Sequence, residues 1–219
     1  MIERIVGCLT ATTLEEFEFQ VKKAPTQILE HRVDYSQDPQ LLNINYRNYE
    51  KQFIVTLRHC SQGGRFAGRS EDQANTLLAL VEQGPTYIDV EVSLPPEFRE
   101  QIIKKARETG VKTILSYHNY FETPPTEELA KLCHSMQQDG CDLAKVVCKA
   151  HNYGECQRLL DCQLGQINLV CFAMGQLGSY TRVVSLLYGA PLAYVALEKA
   201  VAPGQLTYDT FKMIYEVLR

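Results

Sequence analysis

Short apolar runs alternate with amphipathic segments along the whole chain, and this alternation restricts the possible folds more than any other feature. Strict alternation of strands and helices is typical of a parallel sheet. Eight units of roughly 27 residues favour a closed barrel over an open doubly wound sheet. No glycine-rich phosphate loop follows the first run, which disfavours a dinucleotide-binding sheet. We therefore predict an α/β protein, a single (β/α)8 TIM barrel. The predicted strands are residues 4–9, 26–33, 53–58, 86–92, 111–118, 142–148, 167–174 and 192–195.

Several segments between these strands carry helix signals. A helix is predicted at residues 13–24, where Leu14, Phe17 and Val21 recur at the spacing of one helix face. Gly110 is typical of the end of a second helix. The other predicted helices are residues 96–109, 126–139 and 207–218.

Composition and charge limit the class of protein. The chain has 219 residues, a formal net charge of −4 and an apolar fraction of 45 %, which fits one domain over residues 1–219. No Lys/Arg run stands out, so neither a nucleic acid nor a membrane is an expected partner. Eight cysteines occur without a CxxC pair, and no secretory signal is recognisable. We therefore expect reduced thiols and a cytoplasmic location.

Titratable residues gather where the predicted strands end, which is where barrel enzymes carry their chemistry. Two-residue periodicity places Glu30 and Arg32 on one face, so both can point inward. Structural roles alone do not readily explain this convergence of a lysine, a histidine, acids and arginines. The residues are Glu30, Arg32, Arg58, Asp89, Glu91, His118, Lys145 and Arg182.

Each of these residues also has a purely structural interpretation. A lysine beside a strand is commonly a surface side chain, but Lys145 lies within an apolar run. Asp89 and Glu91 are as consistent with a supporting role as with a catalytic one. A metal site formed by Glu30, Glu91 and His118 is a weaker alternative, because nearby arginines would oppose a divalent cation. We expect neither a metal nor a cofactor.

A buried lysine on a barrel strand indicates imine chemistry. An amine is nucleophilic only when neutral, and burial and nearby arginines would both favour the neutral form of Lys145. The imine would then act as an electron sink for a proton lost from the adjacent carbon. His118 is suited to take that proton, since histidine changes charge near neutral pH. The arginines indicate a substrate that bears a carboxylate.

Seven short motifs occur in order at these strand ends. With x for any residue, they are Glu30-x-Arg32-Val33-Asp34, Thr56-x-Arg58 with Gln62-Gly63-Gly64, Asp89-x-Glu91, Ser116-Tyr117-His118, Asp142-x-x-Lys145, Met174-Gly175 with Gly178 and Arg182, and Ala202-Pro203-Gly204-Gln205. Over nearly its whole length the chain resembles type I 3-dehydroquinate dehydratase. That family converts 3-dehydroquinate to 3-dehydroshikimate in the shikimate pathway of aromatic amino-acid biosynthesis.

The resemblance implies roles for the residues that match its motifs. Lys145 would form an imine with the ketone of the substrate, 3-dehydroquinate. His118 would shuttle protons during a syn elimination of water. Arg182 would hold the substrate carboxylate, and Gln205 would help to close the site.

Further contacts follow from the same resemblance. Glu30, Arg32 and Arg58 would bind the ring hydroxyls of the substrate. Met174 and Tyr194 would supply apolar walls. The family also suggests a homodimer, and the chain could be one part of a longer multienzyme polypeptide.

The sequence departs from some family members at four positions. Gln62 stands where some members have a glutamate that orients the catalytic histidine, which would leave the pKa of His118 less raised. Cys8 occupies a position where a serine can contribute a pocket hydroxyl. Val201 replaces a serine, and His31 replaces an aromatic residue. We expect these departures to change substrate affinity and turnover. The lysine and the histidine are still present.

The same residues are also consistent with two other functions. One is another imine-forming barrel enzyme, such as an aldolase of a keto acid. The other is a ligand-binding barrel without catalytic activity, which Gln62 and Val201 would favour. The glutamate-arginine and Ala-Pro-Gly-Gln motifs favour the dehydratase over both.

Overall fold

Eight parallel strands form one curved sheet in a computed structural model that describes residues 3–219. The strands pair in the order β7-β6-β5-β4-β3-β2-β1-β8. The predicted barrel is therefore confirmed, and each strand lies within two residues of its predicted ends. The strands are β1 (Ile5–Leu9), β2 (Ile28–Arg32), β3 (Gln52–Thr56), β4 (Tyr87–Glu91), β5 (Lys112–Asn119), β6 (Leu143–Lys149), β7 (Leu169–Met174) and β8 (Ala193–Ala196).

Seven α-helices cover the outside of the sheet within residues 3–219. The first helix buries Phe17 and Val21, and the Thr13 side chain caps its amino end by accepting from the Glu16 N–H. The third ends at Gly110, whose φ of 76° is left-handed. The helices are α1 (Leu14–Lys23), α2 (Ser70–Glu82), α3 (Pro96–Thr109), α4 (Thr126–Gln138), α5 (Tyr153–Gln163), α6 (Thr181–Leu187) and α7 (Tyr208–Leu218).

The connection between β2 and β3 differs from the predicted strand–helix unit. It contains three short 3-10 helices, Val33–Tyr35, Pro39–Asn43 and Tyr46–Asn48, and no α-helix. The side chains of Asp38 and Asn45 accept hydrogen bonds from main-chain N–H groups two residues ahead. Such local bonds compete with helical ones, so the chain turns repeatedly.

The barrel is not hydrogen-bonded all the way round, because β7 and β8 share no ladder. The loop after β8 bridges part of this opening. The Gly175 N–H donates to the Pro203 carbonyl at 3.0 Å, and Nη2 of Arg182 donates to the same oxygen at 3.3 Å. The expected closure is therefore completed by a loop at the rim where the strands end.

Two apolar layers determine which side chains face the barrel interior. Along β6, Ala144, Val146 and Cys148 pack against the helices. Leu143 and Val147 join the cluster inside the barrel. Because side chains alternate along a strand, Lys145 must point inward between them.

Two further features bear on the expected environment. All eight cysteines are free. None of the helices formed by residues 3–219 combines the length and apolarity needed to span a bilayer.

Candidate active site

A cavity opens at the carboxyl ends of the strands. It takes in about 480 Å³ of space, part of it open to solvent. Of the thirteen candidate site residues, Asp89 and Glu91 do not line it. The other eleven are Cys8, Glu30, Arg32, Arg58, Gln62, His118, Lys145, Met174, Arg182, Tyr194 and Gln205.

Lys145 reaches into the cavity from β6 and is 5 % exposed. Its amine lies 3.5 Å from Oε1 of Glu30 and 3.8 Å from Oδ2 of Asp89. It also lies 3.8 Å from the centre of the Tyr194 ring. The amine therefore contacts two carboxylates, which hold it in place within the cavity.

Glu30 is the carboxylate closest to the lysine amine. One oxygen accepts from the Thr56 hydroxyl at 3.0 Å, and the other accepts from the Cys8 thiol at 3.2 Å. Burial raises the pKa of Glu30, but the charges of Lys145 and Arg32 outweigh burial and lower it to about 2. Glu30 is therefore an anion at neutral pH.

Arg58 is enclosed by acidic partners. Its Nη2 donates to Asp89 at 2.8 Å, and its Nη1 donates to Glu91 at 2.9 Å and to the Ser116 hydroxyl at 2.8 Å. Burial opposes its charge, but the two carboxylates hold the pKa of Arg58 above its ordinary value. Glu91 also accepts from Gln73 at 2.8 Å. Glu91 therefore lies behind the cavity wall and supports the arginine.

His118 lies on β5, next to the lysine strand. Its Nδ1 is buried without a hydrogen-bond partner. Gln62 accepts a hydrogen bond from the main-chain N–H of His118 at 2.8 Å. Burial, followed by the charges of Arg58 and Lys145, holds the pKa of His118 well below its ordinary value. The imidazole is therefore neutral at pH 7, which suits a proton acceptor.

Arg182 differs from the other two cavity arginines because it forms no salt bridge with any residue of the described range 3–219. By contrast, Arg32 makes two hydrogen bonds of 2.8 Å to Asp34. The guanidinium of Arg182 lies 4.6 Å from the centre of the Phe172 ring, and its Nε is buried without a partner. Burial lowers the pKa of Arg182 to about 10, so it remains charged. It is a cation that can receive an anionic ligand.

The loop between β8 and α7 lies over one side of the cavity. Gln205 donates from Nε2 to the Cys8 sulfur at 3.3 Å, and its Oε1 accepts from the Val201 N–H at 2.7 Å. Gly204 has a φ of +70°, and a Cβ at this position would lie 2.0 Å from the Gly175 carbonyl oxygen. The loop therefore reaches its place only with a glycine there.

Five further residues line the cavity. Val201 stands where some members of the resembled family have a serine, Ala202 opens the Ala-Pro-Gly-Gln motif, and the other three were not predicted. They are Tyr120, Val147 and Phe172. Each lies two positions from a predicted residue on or just after the same strand, so two-residue periodicity was a signal that could have identified them. Tyr120 also packs against the loop that carries Gln62, since a Cβ on Gly63 would lie 2.2 Å from the Tyr120 hydroxyl.

Comparison with known proteins identifies the family. The family model described as type I 3-dehydroquinase matches residues 5–219. The chain belongs to the type I 3-dehydroquinase family. The resemblance inferred from the seven motifs is thereby confirmed.

The similarity between this type I 3-dehydroquinase family member and its relatives extends over nearly its whole length. The chain is 31 % identical to a 3-dehydroquinate dehydratase of Pyrococcus abyssi over 214 residues, which cover 98 % of each chain. It is 34 % identical over 212 residues to the one of Methanothermobacter thermautotrophicus, covering 95 % of this chain and 93 % of that one. A crystal structure of the type I enzyme from Clostridium difficile superposes with a TM-score of 0.89 at 21 % identity, covering 99 % of this chain and 92 % of that one. That structure supports the barrel fold.

Proposed function

We propose that the protein is a 3-dehydroquinate dehydratase, a hydro-lyase of the shikimate pathway that forms 3-dehydroshikimate through an imine on Lys145. One observation carries the assignment of residues. A buried amine, a neutral imidazole and an arginine without an acidic partner share one cavity. The amine can attack a ketone, the imidazole can remove an acidic C–H proton, and the arginine can bind a carboxylate. 3-Dehydroquinate carries all three features on one small ring.

Substrate binding begins with an ion pair. The carboxylate of 3-dehydroquinate pairs with Arg182, whose guanidinium has no competing acid among residues 3–219. Glu30, Arg32, Arg58 and Gln205 bind the ring hydroxyls from the walls of the cavity. Because Arg58 is already engaged with Asp89 and Glu91, it acts as a fixed donor rather than a mobile one.

Catalysis then proceeds through the lysine. Neutral Nζ of Lys145 attacks the ketone carbon and gives a carbinolamine. A proton taken up from solvent through His118 leaves with the carbinolamine hydroxyl as water, and a protonated imine remains. Nε2 or Nδ1 of His118 removes a proton from the adjacent carbon, and the electron pair moves to the imine nitrogen as an enamine forms. The enamine expels the hydroxyl one carbon further on, and His118 returns the proton so that water departs from the same face. Hydrolysis of the imine releases the product and the lysine.

The imine nitrogen is the electron sink of this mechanism, so the proposal requires neither a metal ion nor an organic cofactor. The steps use one nucleophile and one acid–base group. An aldol cleavage by the same lysine would break a carbon–carbon bond and give two smaller products. Elimination gives instead a conjugated enone with new ultraviolet absorbance.

Borohydride trapping tests the proposal directly. Incubation with 3-dehydroquinate and borohydride should give a reduced adduct on Lys145, located by peptide mass spectrometry. Lys145→Ala should lose the adduct and nearly all turnover. Lys149→Ala is the matched control, because Lys149 is exposed at the end of the same strand. No adduct, or an adduct on another lysine, would contradict the assignment.

The proposal extends to assembly and location. We propose a cytoplasmic homodimer in which residues 1–219 form one domain. The family resemblance supports the dimer, and eight free thiols suit a reducing compartment. Light scattering coupled to gel filtration tests the dimer, and a single cooperative unfolding transition tests the domain.

A further inference from the structure

The cavity gathers buried polar atoms that have no partner. Among residues 3–219, six buried side-chain nitrogen or oxygen atoms make no hydrogen bond, and three of them belong to residues that line the cavity. The proposed function uses His118 and Arg182, but it treats Tyr194 only as an apolar wall. The six atoms are Thr26 Oγ1, His31 Nε2, Ser36 Oγ, His118 Nδ1, Arg182 Nε and the hydroxyl oxygen of Tyr194.

Tyr194 lies on β8, where its backbone pairs with Val6 of β1. Only 3 % of the residue is exposed, and its ring lies beneath the Lys145 amine at 3.8 Å. Burial, followed by the charges of Glu30 and Asp89, raises the pKa of Tyr194 well above its ordinary value. The hydroxyl therefore keeps its proton and can act as a hydrogen-bond donor.

A purely apolar wall would not need this hydroxyl. A buried hydroxyl without a partner destabilises the folded state, whereas phenylalanine would present the same ring. A second buried tyrosine shows the usual arrangement, since the Tyr46 hydroxyl lies 2.7 Å from Nδ1 of His31. Tyr194 thus differs from Tyr46 in two ways: its hydroxyl has no partner, and the residue lines the cavity.

We propose that the Tyr194 hydroxyl donates a hydrogen bond to the oxygen bound to the carbon that Lys145 attacks. This oxygen is the carbinolamine hydroxyl during imine formation and the incoming water during imine hydrolysis. In the carbinolamine this oxygen is bonded to the carbon that carries Nζ, and the incoming water approaches the same carbon. Because Nζ lies over the Tyr194 ring, the oxygen comes within reach of the hydroxyl on that ring. The proton stays on Tyr194 throughout. The ring meanwhile attracts the positive charge on the imine nitrogen.

This inference rests on the proposed imine at Lys145 and makes a separate claim about individual steps. Imine formation and hydrolysis use the Tyr194 hydroxyl, whereas proton removal by His118 does not. Loss of the hydroxyl should slow the first and last steps and leave the elimination unchanged. The isotope effect of a substrate deuterated at the carbon that loses the proton should then fall toward one, because the elimination becomes less rate-limiting.

Tyr194→Phe removes the hydroxyl and keeps the ring. In a single turnover quenched with borohydride, the Lys145 adduct should form about five- to tenfold more slowly, as expected for one neutral hydrogen bond. The melting temperature should equal or exceed that of the wild type, because an unpartnered buried hydroxyl is gone. Tyr46→Phe is the matched control and should show the opposite pattern, a lower melting temperature with an unchanged rate of adduct formation.

The outcomes separate the two claims. Slower adduct formation by Tyr194→Phe, with a smaller isotope effect and no loss of thermal stability, supports the inference. An unchanged rate, or a slower rate together with a lower melting temperature, overturns it and leaves the proposed function standing. Absence of a Lys145 adduct in the wild type instead overturns the proposed function, and the inference with it.

Discussion

The amine of Lys145 lies 3.5 Å from a carboxylate oxygen of Glu30, and both side chains are almost fully shielded from solvent. At this distance the carboxylate holds the amine at the place from which it attacks the substrate ketone. Glu30 therefore positions the nucleophile of the proposed imine.

Replacing Glu30 with glutamine should test this positioning role. Turnover should fall about 10- to 100-fold, because the substrate and the amine lose a charged hydrogen-bond partner. Borohydride trapping of the Lys145 adduct should also become slower, because the carboxylate no longer holds the amine in place. Adduct yield measured against time by mass spectrometry checks this, with the exposed Glu97→Gln as control. A trapping profile identical to that of the wild type would contradict the role of Glu30.

Replacing Arg182 with glutamine should weaken substrate binding. We expect kcat/KM to fall about 10- to 150-fold, mainly through KM, because a charge-assisted contact with the carboxylate is lost. Thermal stability should not fall, since Arg182 has no acidic partner among residues 3–219 and its buried charge is removed. Steady-state kinetics and thermal melts test both points. The control is Arg69→Gln, whose side chain is 76 % exposed, and an unchanged KM for the Arg182 variant would refute the assignment.

The pH dependence of kcat/KM should report the low pKa of His118. Only the neutral imidazole accepts a proton, and burial and nearby cations hold its pKa well below 6.5. As the pH falls, kcat/KM should stay high through pH 6.5 and decline only at lower pH. Gln62→Glu should move this decline to higher pH, because it places a negative charge at the main-chain N–H of His118, and a negative charge near that residue favours the imidazolium. A decline centred at or above pH 6.5 in the wild type would be inconsistent with a neutral His118.

Replacing Gly204 with alanine should displace the loop that carries Gln205. A Cβ there would lie 2.0 Å from the Gly175 carbonyl oxygen, so the loop must shift. Gly165→Ala is the matched control, because its φ of +75° imposes the same backbone strain with no atom within 4 Å. Both variants should lose about 1–2 kcal/mol of stability, because alanine is strained in the left-handed conformation, but only Gly204→Ala should raise KM. Equal KM values for the two variants would show that the loop does not contribute to binding.

Local sequence signals predicted most of the fold and the inward direction of the key side chains. The two-residue alternation around Lys145 requires its amine to face the barrel interior, and the same rule aligns Glu30 with Arg32. The segment after β2 escaped prediction, because the bonds made by Asp38 and Asn45 compete with a helix only once the chain has turned.

The sequence by itself determined a parallel barrel with a lysine, a histidine and several arginines at one end, since strand periodicity and strand order are local properties. Only the tertiary structure decided which charges meet. Arg58 and Arg182 are the same type of residue, so the sequence does not distinguish them. Arg58 contacts Asp89 and Glu91, whereas Arg182 contacts no acid among residues 3–219. The partners of each guanidinium come from distant strands, so sheet register and curvature set their distances. The unpartnered Tyr194 hydroxyl and the direction of the His118 pKa arise from the same long-range packing.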